Sequence, residues 1–448
     1  MPTPDAPIDS RRFTFLPQGT TGDAAIILAS RGIRAFADGF VSVLLPLYLT
    51  TLGYSAIRIG VLTTATLLGS AALTLLVGNL AGRWKRADLL IRAAAVMVAT
   101  GIGFTFLDGF WPLLIVAFVG TLNPSSGDVS MFLPIEQSLL PQTTSSESRT
   151  ALFARYSLIG SLIGAFGALS AGLPDLLERW FEIEFLTALR AMFLLYAVLG
   201  VLIMLLYHRL SPRIEPNEAE KSSRLGPSKS AVYRLAALFS VDSLASGFTM
   251  QSVLALWLFL RFDMSVTTAA TIFFWAGLCA AFSQLIAPVL ARKIGLINTM
   301  VFTHLPANVF LILTPFMPTL PLAIACLLIR ASLAQMDVPA RTSYVMAVVT
   351  PAERPAAVSI TAVPKSLASA ISPLIAGSLL NTTVFGWPLI ISGSLKIGYD
   401  LTLFAMFRHQ RPPEEQTPAS PPSPASTAAD SQAAPAGARR PAHPGGEG

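Results

Sequence analysis

Twelve stretches of predominantly apolar residues run through this chain of 448 residues, each close to the roughly 20 residues that a helix needs to cross the hydrocarbon of a bilayer. They fall at 24–52, 57–82, 87–107, 111–140, 149–173, 185–208, 233–261, 266–291, 295–317, 320–348, 355–380 and 385–408. A backbone in hydrocarbon has no water to bond, so it must satisfy its own N–H and C=O groups, and windows of this length predict an all-α membrane protein. Composition agrees: 53% of residues are hydrophobic and 12% are Asp, Glu, Lys or Arg, about half the charged share of soluble domains. An ordinary water-soluble enzyme is thereby excluded.

The formal net charge of +6 does not point to nucleic acid, because the basic residues lie between apolar windows and not along one stripe. Membrane orientation accounts for them better. With the N-terminus inside, the inner connections hold Arg83, Arg86, Arg149, Arg292 and Arg354 among fourteen Lys and Arg, against Arg58, Arg179 and Arg261 outside. This bias predicts a multi-pass protein of the cell membrane with both termini cytoplasmic. The start, MPTPDAPIDSRRFTF, has no apolar core behind a basic segment, so no cleavable signal is expected. Cys279 and Cys326 each sit inside an apolar run, where neither a structural disulfide nor a thiolate metal site is expected.

The expected organisation is a cytoplasmic segment at 1–23, a six-helix bundle at 24–208, a cytoplasmic linker at 209–232, a second six-helix bundle at 233–408 and a disordered tail at 409–448. Pro46, Pro134, Pro339, Pro364 and Pro373 fall inside windows and predict kinked helices.

The two halves repeat. Gly39-Phe40 matches Gly247-Phe248, Leu47-Tyr48-Leu49 matches Leu256-Trp257-Leu258, and Arg34 matches Asp242, at offsets of 208 to 209. Further on, Met131, Pro134, Glu136 and Ser138 match Met336, Pro339, Arg341 and Ser343 at an offset of 205. Six helices followed by six related ones in parallel orientation is the plan of transporters that rock about a central site.

At this point the chain resembles the major facilitator superfamily (MFS). The signature between its second and third helices reads here Gly78-Asn79-Leu80-Ala81-Gly82-Arg83-Trp84-Lys85-Arg86-Ala87, with Gly82 at the usual aspartate position. Helix 5 offers the glycine series Gly160, Gly164, Gly167 and Gly172, a partial form of the antiporter ladder, and helix 11 offers Ser372-Pro373 and Gly377. The resemblance implies twelve transmembrane helices in two pseudo-symmetric bundles, with helices 1, 4, 7 and 10 lining a cavity.

Ionisable residues within spans are costly and usually face a cavity or a partner. Asp38 and Asp128 are the candidates for proton coupling. Arg34, Asp242, Arg330, Asp337 and Lys365 are the candidates for the substrate cavity, with pairs expected between Arg34 and Asp38 and between Asp337 and Lys365, and a cross-bundle contact between Arg34 and Asp242. Gly78, Arg83, Arg86, Glu136, Arg155 and Arg341 are expected to act in gating, and Lys396 to pair with Asp400 one turn on. Phe40, Tyr48, Trp257, Phe273, Phe274 and Trp275 are candidates for an aromatic pocket. His304 is not grouped with another histidine, so neither a metal nor a cofactor is expected.

No nucleotide-binding loop, zinc-protease motif or nucleophile with its base appears, so the chain is not expected to be an enzyme. The expectation is a monomeric secondary transporter of a small organic solute, proton-coupled and exporting. A carrier of organic or inorganic anions, and a non-transporting receptor with the same fold, stand as alternatives.

Overall fold

The computed structural model describes residues 20–80, 84–124, 130–144, 149–214, 226, 228–337, 341, 344–345 and 354–408. Among them the regular structure is helical, without strands. The first half contains α1 (Gly22–Thr51), α2 (Ala56–Leu80), α3 (Arg86–Phe106), α4 (Phe110–Val119), α5 (Phe132–Leu139), α6 (Arg149–Ser170), α7 (Leu173–Phe181) and α8 (Phe185–Tyr207). The second contains α9 (Lys229–Gly247), α10 (Gln251–Phe262), α11 (Val266–Ile294), α12 (Leu296–Leu313), α13 (Leu320–Ala334), α14 (Arg354–Thr382) and α15 (Trp387–Phe407). Nine helical stretches among the described residues are long and apolar enough to cross a membrane, and α4 and α13 are shorter apolar helices. Large apolar side chains such as Phe106, Trp111, Ile115 and Phe282 are exposed on the outside of the bundle, as a lipid-facing surface requires.

The helices pair identically in the two halves. α1 lies along α6 and α3 along α8; correspondingly α9 lies along α14 and α12 along α15. Glycines permit the first pairing in each half. A Cβ on Gly39 would fall 2.2 Å from the carbonyl oxygen of Gly164, and one on its repeat partner Gly247 would fall 2.4 Å from that of Ser369. Such approach between backbones is what small residues allow in a membrane. Across the halves, Gly60 of α2 packs on Pro373 and Gly377 of α14, and Gly277 of α11 packs on Ala165 of α6.

Two windows, one in each half, are interrupted. The window at 111–140 holds α4 and then α5, and the window at 233–261 holds α9 and α10 separated by Phe248, Thr249 and Met250. Carbonyls at the end of α9 accept from neighbouring side chains: Ser372 Oγ donates to the Leu244 carbonyl at 2.5 Å and Ser392 Oγ to that of Ala245 at 2.7 Å. The Ser252 N–H in the first turn of α10 donates to the Pro124 carbonyl at 3.1 Å, tying the two interrupted regions together across the halves. Of the predicted kink prolines, Pro46 lies within α1 and Pro364 and Pro373 within α14, both helices continuing past them. Pro134 sits in the first turn of α5, where it removes no helical bond, and Pro339 is outside the described residues.

The two ends of the bundle are distinct. At one, Thr21 N–H donates to the Thr143 carbonyl at 2.9 Å, and Ser211 donates to Asp23 through its N–H at 2.9 Å and its hydroxyl at 2.6 Å. At the opposite end, Asp175 of α7 accepts from Thr267 through the N–H at 3.0 Å and the hydroxyl at 2.8 Å. Asp175 thus occupies the orphan donors at the start of α11 and clips the first half to the second.

Candidate functional site: a central cavity beside two charge-swapped ion pairs

A cavity of about 600 Å³ lies between the halves at mid-depth. Its first-half wall is α6, through Gly160, Gly164 and Ala168, with Leu67 of α2; the rest comes from the second half. The interruption after α9 puts Thr249, Met250 and Gln251 on its surface. Irregular backbone at this depth is tolerated where it lines a cavity. His304 and Lys396, near the middles of α12 and α15, also face it, as do Asp242, Arg330, Asp337, Arg341 and Lys365. Among the described residues, the ionisable side chains on the cavity wall therefore belong to the second half.

These side chains form a linked network. Asp242 accepts from Lys396 Nζ at 2.9 Å and lies 3.0 Å from Arg341 Nη1, while Arg341 Nη2 bonds Asp337 one turn away. Lys396 also donates to Ser246 Oγ at 2.8 Å. The Arg341 guanidinium sits over the rings of Phe239 at 5.1 Å and Tyr399 at 5.8 Å. Behind this group, His304 Nδ1 is 2.9 Å from Asp400 Oδ1, and Asn308 donates to Asp400 Oδ2 at 3.0 Å.

Arg34 and Glu136 lie away from the cavity wall in the first half, 1% and 0% exposed. They are joined by two hydrogen bonds, Nη1 to Oε1 at 3.0 Å and Nη2 to Oε2 at 2.6 Å. Tyr207 donates to Oε1 at 2.6 Å and Tyr156 to Oε2, so the carboxylate is fully surrounded. The Phe132 ring lies 4.6 Å from the Arg34 guanidinium.

Several expected pairings are replaced. Arg34 bonds Glu136 in place of Asp38, because α5 presents a carboxylate in bidentate geometry where a neighbour one turn along α1 cannot. Nor does it reach Asp242 across the halves: each finds a partner within its own half. Asp337 bonds Arg341, the better placed cation one turn on, where Lys365 was expected; the Lys365 ammonium is 5.9 Å from the Phe239 ring. Lys396 reaches Asp242 on α9, leaving Asp400 to His304 and Asn308.

Asp38 is 2% exposed and forms no salt bridge among the described residues; its Oδ2 has no hydrogen-bond partner, and Arg34, Arg31 and Asn123 are within interaction range. Arg155 forms no ion pair among the described residues, and its Nη1 is buried without a partner. Arg86 donates to the Ser138 carbonyl at 3.3 Å, joining α3 to α5 inside the first half. Gly78 falls in α2, while Gly82, Arg83 and Asp128 are outside the described residues. Of the aromatic candidates only Phe273 lines the cavity; Phe40, Tyr48 and Trp257 are core, and Trp275 is half exposed.

Sequence reasoning passed over Arg31, Tyr156, Tyr207, Asp175 and Asn308. Arg31 was visible one turn before Arg34; it packs against Gly160 and 5.3 Å from the Tyr156 ring. The two tyrosines carried no signal beyond apolar periodicity.

Paired helical repeats, interrupted helices and a charged cavity between them define a polytopic membrane protein of the alternating-access transporter architecture. The family model of the Major Facilitator Superfamily matches residues 27–336 and 245–441, and the chain belongs to that superfamily. It is 27% identical over 420 residues to "Uncharacterized membrane protein YJR124C" of Saccharomyces cerevisiae, covering 86% of this chain and 94% of that protein. In fold it is similar to the nucleoside transporter NupG, with TM-score 0.66 and 13% identity over 87% of this chain and 100% of that one. It is likewise similar to the human organic anion transporter MFSD10, with TM-score 0.61 and 16% identity over 86% and 100%. A bacterial homologue of the iron transporter ferroportin in an inward-facing state matches with TM-score 0.64 and 16% identity over 86% and 98%. At these identities the solved structures share the fold alone.

Proposed function

We propose that the chain carries a small organic solute by alternating access, driven by protons and in the direction of export, with its functional bodies at 24–208 and 233–408. The observation that carries this reading is the cavity of about 600 Å³ at mid-depth between the repeated halves, a volume within the range of small-molecule sites. Closure at the end opposite Thr21, through Asp175 and Thr267, supports one state of a rocking cycle. Asp38 is the proposed proton carrier. Glu136, Asp242, Asp337 and Asp400 each have a basic partner, whereas Asp38 forms no salt bridge among the described residues and so remains available to gain and lose a proton as its surroundings alternate. Both termini are proposed to be cytoplasmic, on the distribution of Lys and Arg.

The test is uptake and efflux of a metabolite and drug panel in oriented membrane vesicles, with and without a pH gradient, for the natural protein and Asp38→Asn. Gradient-driven movement that the variant loses while retaining solute exchange is the expected result. Movement in both proteins regardless of the gradient removes proton coupling and leaves a uniporter. No movement of any solute removes the transporter reading and favours a receptor with this fold.

A further inference from the structure

The ionisable side chains on the cavity wall differ in how they are engaged. Among the described residues, two carboxylates, Asp242 and Asp337, and four cations, Arg330, Arg341, Lys365 and Lys396, line it. An uncompensated charge at this depth is expensive and marks a binding position. Arg341 and Lys396 are already engaged by carboxylates. Arg330 is not: among the described residues it has no hydrogen bond, ion pair or ring contact, and its Nε is buried without a partner. Its helix, α13, supplies no acid, the residues from Leu320 to Ala334 being otherwise neutral.

We infer that the cavity is an anion site, in which Arg330 receives the oxyanion group of an amphiphilic organic solute whose apolar body lies against Ile272, Phe273 and Leu327. The planar guanidinium fork matches carboxylate and phosphate oxygens two at a time. The apolar side of the same space is set by α11 and α13, where those three residues line it, and Gln251 and Gln284 offer amide groups for further polar atoms. Arg34 cannot serve, because Glu136 and two tyrosines enclose it. The site rests on the transporter reading above for its biological meaning, and its existence is tested separately from that reading.

The full-length protein in detergent is heated with benzoate, phenyl phosphate, benzamide or benzylamine, four probes of one body and differing charge. A ligand that binds only the folded state raises the melting temperature in proportion to its occupancy. At least one of the two anions stabilises the natural protein while benzamide and benzylamine do not. Arg330→Gln weakens that stabilisation by about tenfold or more, Arg330→Lys retains an intermediate part, and unliganded Arg330→Gln melts no lower than the natural protein, having no partner to lose. The inference is overturned if neither anion stabilises, if benzamide serves as well, if Arg330→Gln responds unchanged, or if the unliganded variant melts well below the natural protein, which makes Arg330 structural. Accumulation of the same probes by vesicles separates the two readings. Anions that bind without being accumulated leave the site standing and remove transport; accumulated benzamide or benzylamine, indifferent to Arg330, leaves transport standing and removes the site.

Discussion

Arg34 and Glu136 face one another through two hydrogen bonds of 3.0 and 2.6 Å, and their repeat equivalents Asp242 and Arg341 face one another at 3.0 Å with the charges exchanged. The same two positions of the repeat therefore carry an ion pair in each half, acid and base having traded helices. In the first half the pair is sealed by tyrosines; in the second it borders the cavity and is extended by Lys396 and Asp337. One copy holds α1 to α5, and the other places charge on the cavity wall.

Removing one member of the sealed pair leaves a buried charge without compensation, a loss of about 3–5 kcal/mol in comparable cases. Glu136→Gln is accordingly expected to yield little folded protein or a large fall in melting temperature. Exchanging the pair, Arg34→Glu with Glu136→Arg, reproduces the arrangement of the second half and is expected to recover part of that loss. Melting of the natural protein, Arg34→Glu, Glu136→Arg and the double variant in one detergent gives the coupling directly, and a double variant no better than the singles removes the argument from symmetry.

The fold was legible because membrane helices announce themselves by length and apolarity alone, and because Gly39 and Gly247 recur in register where close packing demands no side chain. The ion partners were less legible. Arg34 and Asp38 share a helix face, so sequence spacing suggested their pairing, but spacing contains no term for what a distant helix presents. Glu136, separated from Arg34 by 102 positions, wins by bidentate geometry. The bond of Asp175 to the start of α11 is likewise a product of where α7 ends up, and no local pattern encodes it.

In the second half, Asp242 is shared between two cations, so its removal and the removal of one cation are unequal perturbations. Asp242→Asn leaves Lys396 without its carboxylate and Arg341 with Asp337 alone; Lys396→Met leaves Asp242 still paired with Arg341. The first is expected to lower the melting temperature more than the second, by the equivalent of roughly 1–3 kcal/mol, the scale of a charged hydrogen bond left unmade. Equal effects in a thermal melt contradict the shared-carboxylate arrangement.

Backbone contact between α1 and α6 makes Gly39 intolerant of any side chain. A Cβ there would meet the Gly164 carbonyl at 2.2 Å and the Ala168 nitrogen at 2.8 Å, both backbone atoms that cannot rotate away. Gly39→Val is expected to abolish folded protein on size-exclusion chromatography. Gly398→Ala, whose new Cβ meets nothing within 4 Å in α15, is expected to be neutral or stabilising by up to about 1 kcal/mol through helix propensity.

Asp175 joins the halves at the end opposite Thr21 by satisfying the Thr267 N–H and hydroxyl at 3.0 and 2.8 Å. Loss of a helix-capping acceptor is worth about 1 kcal/mol, which shifts a two-state equilibrium about fivefold. Asp175→Ala is therefore expected to populate a state open at this end without unfolding the bundle. Spin labels at the exposed positions Glu178 and Thr271, in protein with Cys279 and Cys326 replaced by serine, report the separation of α7 and α11. A longer distance component that grows in Asp175→Ala at unchanged melting temperature is the expected outcome. An unaltered distribution assigns closure to the packing of Gly60 on Pro373 and Gly377, and directs the next substitution there.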